Sequence, residues 1–184
     1  MTTPAARPLE SRFPSRRRPL GVLVGFDGSD QAVRALVFAA RTAQNQQSKL
    51  TVVTTYSDPM PFYVDYASLP AQKDHDARRQ GAERTLDIAG THLVGYPITV
   101  DYRAEHGSCM AALAKLSGDA RITVVGSPSS GGLRGLIMGS VASTLPARAA
   151  SAVIVVSADY DIAGSDHATT AIHDNAECLG VSWV

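Results

Sequence analysis

Seven successive residues, Leu20-Gly-Val-Leu-Val-Gly-Phe26, carry no polar side chain, and the run stops at Asp27-Gly28-Ser29. An apolar stretch this short, bounded by turn formers and without alternation, is the pattern of a strand covered on both faces. Such strands belong to parallel sheets, whose neighbours are joined by crossovers, usually helices. The rest of the chain supplies them. Ser29 or Asp30 can cap a helix in which Ala32, Val33, Leu36, Val37 and Ala40 form one apolar stripe. Residues 50–56 are β-branched and predict a second strand. Residues 58–70, rich in proline and aromatics, predict a loop. Residues 72–89 predict a surface helix, with Ala82, Leu86 and Ala89 on one face.

The alternation continues. Residues 98–103 predict a third strand, and residues 108–116 a helix with Met110, Leu113 and Ala114 together. Residues 122–125 predict a fourth strand. A helix over residues 140–149, with Val141, Leu145 and Ala149 in line, leads to a fifth strand at residues 153–156. Strands alternating with helices imply a doubly wound α/β domain, its parallel sheet covered on both faces.

The flanks differ from this core. Residues 1–19 hold four prolines and five arginines and show no period, which predicts a disordered basic arm. From residue 158 the chain turns polar. Asp159, Asp161, Asp166, Asp174 and Glu177 stand there without a lysine or arginine, which predicts a flexible acidic tail over residues 158–184. Across the 184 residues, lysine plus arginine and aspartate plus glutamate are 17 each, so no net charge draws the protein to nucleic acid or an anionic membrane. No run approaches the roughly 20 apolar residues of a membrane-spanning helix. Two cysteines, Cys109 and Cys178, make neither a disulfide framework nor a four-ligand metal site. A soluble, cytoplasmic protein without a membrane partner is expected.

The fourth strand runs into Gly126-Ser-Pro-Ser-Ser-Gly-Gly-Leu-Arg-Gly-Leu-Ile-Met-Gly-Ser140, and a helix follows. Ligands of doubly wound sheets bind outside the carboxyl ends of the strands, where the strand order switches. Glycines there let the backbone approach a ligand, and N–H groups near Gly139, Ser140 and Val141 face an anion with the helix dipole behind them. A phosphate fits this end. Asp27 closes the first strand over the same edge. It can take a ribose hydroxyl, an adenine amino group or a metal, or it can cap the turn into the first helix.

At these residues the chain resembles the universal stress protein family. The resemblance lies in Val-Leu-Val-Gly-Phe-Asp-Gly-Ser from Val22 to Ser29, and in the loop from Val124 to Val141 with the Ala-Ser-Thr-Leu-Pro-Ala-Arg-Ala that follows. It spans about residues 20–157 and implies a Rossmann-like, adenine nucleotide alpha hydrolase-like sheet of order 3-2-1-4-5. It also implies ATP, with magnesium, as ligand. The family's loop reads Gly, two residues, Gly, nine residues, Gly, then Ser or Thr. Here its first glycine falls on Gly126 and its closing pair on Gly139-Ser140, while Ser129 stands at the second glycine. If that position needs positive φ, serine costs about 1 kcal/mol or somewhat more. Pro128 stands where the family often has a long basic residue. Carried over, adenine and ribose contacts fall on Gly25, Asp27 and Thr55, with Val125 beside the loop; phosphate contacts fall on Gly126, Ser129, Gly139, Ser140 and Val141. The resemblance further implies a homodimer through the last strand (Val153, Ile154, Val155, Val156), whose apolar edge is itself suited to pairing.

No catalytic set is expected. A P-loop hydrolase needs a lysine on the phosphates, and the only cation of this loop is Arg134. His106 reads as a turn residue or as one facing the ligand edge, and His75 and His92 as solvated. His167 and His173 suggest no more than a weak metal contact. Cys109 opens a helix, where the dipole can make a thiolate; the plainer reading is a small buried cap residue. Two functions remain: a nucleotide-dependent binding switch with little or no hydrolysis, and a dimeric interaction module without nucleotide. A nucleotidyl transferase, the third idea, lacks basic residues for the phosphates.

Overall fold

Strand β1 (Gly21–Gly25) lies at the centre of the sheet, paired on one side with β2 (Leu50–Tyr56) and on the other with β4 (Ala120–Gly126). Beyond them lie β3 (Val100–His106) and β5 (Ala152–Val156), all parallel, in the order β3-β2-β1-β4-β5. The computed structural model describes residues 18–57, 71–127 and 140–162. The fold is the Rossmann-like α/β sheet of order 3-2-1-4-5. Helices α1 (Asp30–Asn45) and α2 (Ala71–His92) cover one face. Helix α3 (Cys109–Ser117) and the short α4 (Ser140–Thr144) cover the other.

Two apolar layers result, one on each face. Val22, Val24, Leu50, Val52 and Val124 meet the alanine-rich side of α1, where Ala32, Ala35, Ala39, Ala40 and Ala43 flank Leu36. Leu23, Val53 and Val125 meet Leu113, Ala142 and Leu145. Each fully buried leucine or valine contributes roughly 1.5–3 kcal/mol relative to exposure. The buried hydroxyls are satisfied: Thr51 Oγ1 donates to the Leu20 carbonyl at 2.9 Å, and Thr123 Oγ1 pairs with Ser151 Oγ at 2.7 Å.

Serine caps start α1 and α3. Ser29 Oγ accepts from the Ala32 N–H at 3.2 Å and Ser108 Oγ from the Ala111 N–H at 3.3 Å. Strand β3 and the last helix depart most from the sequence reading. Strand β3 begins at Val100 and runs to His106, because its ladder pairs residue by residue with β2 from Leu50↔Val100 to Tyr56↔His106. Ile98 instead sits in the turn before it, donating its N–H to the Tyr96 carbonyl at 2.9 Å. The expected helix over residues 140–149 ends after Thr144 and tightens into a 3-10 turn, Leu145–Ala147, because Pro146 has no N–H to continue it. The expected loop at residues 58–70 lies outside the described residues.

Both flanks touch the domain. Arg18 Nη1 donates to the Ala120 carbonyl at 2.6 Å. Past β5, Tyr160 lies edge-on to Phe38 with ring centres 5.6 Å apart, and Arg41 Nη2 donates to the Ile162 carbonyl at 2.6 Å. Residues 158–162, read from their polarity as tail, are therefore seated on α1. Residues 1–17 and 163–184 lie outside the described residues.

Gly21 marks the tightest backbone approach at the foot of the sheet. Its φ is +64°, and the Lys49 carbonyl oxygen occupies the space a Cβ would need. The register against β4 shifts at this point, between Gly21 and Val22. Gly21→Ala therefore meets strain and a clash together, and is expected to lower unfolding stability by about 2 kcal/mol or more. Urea denaturation checks this as a lower midpoint at unchanged slope.

Candidate functional site

Where β1, β2 and β4 end, the chain changes sides of the sheet: β2 and β3 lie to one side of β1, β4 and β5 to the other. A cleft of about 440 Å³ opens there, within the usual range for a small-molecule site. Val53, Val125, Leu113 and Ala142 give it apolar walls, while Ser127 and Ser140 bring hydroxyls to its loop side. Among the described residues its lining holds one carboxylate, Asp27, and no lysine or arginine.

Seven of the nine residues assigned from the sequence line this one cleft: Gly25, Asp27, Thr55, Val125, Gly126, Ser140 and Val141. Ser129 and Gly139 lie outside the described residues. Thr55 is half-buried, and Val53 and Leu113 line the same cleft. No periodicity marks those two residues as lining, since they sit on different elements and double as core.

Asp27 serves the turn it was expected to cap. Its Oδ1 accepts from the Ser29 N–H at 3.0 Å and from the Ser29 hydroxyl at 2.6 Å, an Asx-turn that aims the chain into α1. Its Oδ2 has no hydrogen-bond partner among the described residues, and the side chain is exposed at the cleft lip. Capping uses one oxygen and leaves the other for a ligand.

Gly126 is constrained by packing. A Cβ there would stand 2.7 Å from the Gln31 carbonyl oxygen, in the first turn of α1. A Cβ at Gly25 would stand 3.0 Å from Leu113 Cδ1. The helix dipole anticipated behind Ser140 is curtailed, since α4 runs only five residues and the macrodipole needs length to build up.

Cys109 was read both as a buried cap residue and as a reactive thiolate. It lines the cleft half-buried. Burial, and secondarily the carboxylate of Asp27, push its thiol above the ordinary range. The dipole reading fails because desolvation and a nearby negative charge both disfavour the thiolate.

The universal stress protein family model matches residues 21–157. This chain belongs to the universal stress protein family. A universal stress protein of Mycobacterium tuberculosis is 30% identical over 141 residues, covering 74% of this chain and 47% of its own length. The chain thus spans about half the length of the curated relatives it matches. Among solved structures, a universal stress protein in complex with cAMP superposes with a TM-score of 0.57 at 26% identity, covering 74% of this chain and 95% of its own. The universal stress protein UspA from Lactobacillus plantarum superposes with 0.61 at 21% identity, covering 77% and 99%.

The raised Cys109 pKa has a direct readout, since only the thiolate alkylates. Carbamidomethylation of Cys109, followed by peptide mass so that Cys178 is scored apart, is expected to lag an ordinary thiol at pH 8 and to accelerate only at higher pH. Asp27→Asn removes the smaller of the two causes. It should move the profile to lower pH without bringing it down to that of a free thiol.

Proposed function

We propose that this universal stress protein binds an adenine nucleotide in the cleft at the β1/β4 switch and acts as a nucleotide-dependent binding protein rather than a catalyst. The observation that carries this reading is the convergence of Gly25, Asp27, Thr55, Val125, Gly126, Ser140 and Val141 on one cleft. The similar structure in complex with cAMP supports the ligand class.

In this reading the base lies against the apolar walls and Asp27 Oδ2 accepts from a ribose hydroxyl. The phosphates face the Ser127 and Ser140 hydroxyls and the backbone N–H groups that open α4. With no cationic side chain in the described lining, ATP's charge calls for magnesium, which would neutralise the phosphates. Little or no turnover is part of this reading. Binding is then read out as a change in the surface around the cleft, and a cytoplasmic location suits such a role. Among the described residues no helix is long and apolar enough to cross a membrane.

Isothermal titration tests this. ATP with magnesium, AMP and cAMP are each expected to bind one per chain. Ser140→Ala should weaken binding roughly ten- to a hundredfold, as expected for a lost hydrogen bond to a charged group worth about 1.5–3 kcal/mol. No heat with any of the three at millimolar concentration would favour the second reading, a dimeric module that needs no nucleotide. Two observations favour that reading: the packing at Gly126 and the capping by Asp27 each account for a motif residue without a ligand.

Both readings share a homodimer. Strand β5 lies at the sheet edge, with Val153, Ile154 and Val155 only half-buried, and an apolar edge of this kind invites a second strand. Ile154→Lys is expected to convert a dimer to a monomer in sedimentation velocity. An unchanged mass in a variant that melts normally would remove β5 as the interface.

A further inference from the structure

Beside the cleft, at the ends of β2 and β3, three rings gather. Tyr56 closes β2 and His106 closes β3, paired across the ladder, and His75 arrives from the first turns of α2. Ring centres are 5.4 Å apart for Tyr56 and His75, and 5.3 Å for Tyr56 and His106. His75 and His106 are themselves 5.3 Å apart, their planes tilted by 54°.

Imidazole nitrogen is a ligand that suits late first-row transition ions. With metal–nitrogen bonds of about 2.0–2.1 Å, two imidazoles on a tetrahedral ion have ring centres about 5 Å apart. We infer that His75 and His106 form a two-histidine site for a divalent transition ion of the zinc type, with water completing its shell. Each imidazole has two nitrogens, so one can ligate while the other keeps a hydrogen bond, the arrangement that orients metal-bound histidine. Tyr56 packs on both rings, and its carbonyl accepts the Gly107 N–H at 2.8 Å, which fixes the backbone just past His106.

The surroundings limit the affinity. Arg78, one turn along α2 from His75, donates to the Ser57 carbonyl at 3.5 Å, and its charge opposes a cation nearby. An exchangeable ion is expected, not one on which folding depends. The site adjoins the nucleotide cleft without sharing a lining residue, since Thr55 belongs to the cleft and Tyr56 to the rings. It does not require a nucleotide. A purely aromatic cluster has the same ring spacing, and metal titration separates the two.

The full chain is titrated with zinc sulfate alone by calorimetry, while the histidine ring protons are followed by NMR. One equivalent of zinc is expected, with the His75 and His106 ring resonances shifting together. Magnesium chloride should do neither, because it prefers oxygen ligands. His75→Gln and His106→Gln should each weaken zinc uptake at least about tenfold in variants that still melt cooperatively in EDTA. Absence of zinc uptake would show an aromatic cluster and overturn the inference. Uptake unchanged in the double variant, as from His167 and His173, would overturn it equally. If a variant fails to fold, the unaltered chain decides, and ring shifts confined to other histidines reject the site.

Discussion

How closely the first turn of α1 approaches the end of β4 governs the functional end of this molecule. The Gln31 carbonyl fills the space in which any side chain at residue 126 would begin, so a larger residue must push α1 away from the sheet. The same turn is aimed by Asp27 through Ser29, and Ala32 behind it lines the cleft. Strand end, turn and helix start are thus one mechanical unit. The alanine side of α1 permits it, since small side chains let the helix axis sit near the strands.

This unit gives the cleft a particular electrostatic character. Its described lining is apolar and hydroxylic, with a single carboxylate at the lip. Burial and that carboxylate both raise the Cys109 thiol's pKa, and the described lining carries no fixed cation. Within the described lining, an anion would meet hydroxyls rather than charged partners.

The architecture was largely legible because the central strands are buried on both faces. Such strands must be continuously apolar and β-branched, and β2 matched its sequence reading from Leu50 to Tyr56. Strand β3 was misplaced by its polarity: at the sheet edge Asp101, Arg103 and Glu105 tolerate water, so hydrogen-bond register with β2 decides its limits. Pro146 shortened the last helix, a signal present in the chain but outweighed by the spacing of Val141, Leu145 and Ala149. Of the cleft, the motif residues were readable, whereas Val53, Leu113 and Cys109 were not assigned. Their place in the lining depends on three elements converging at one point of the sheet. The meeting of His75 and His106 was equally hidden, since only the docking of α2 on β3 brings them together.

The seating of the two flanks carries one more consequence. Arg18 is bonded at the start of β4, and Ile162 is held by Arg41 near the C-terminal end of α1. Both anchor points lie at the pole opposite the cleft mouth. Chain that continues past either point therefore departs from the end of the sheet opposite the cleft, whatever it goes on to form.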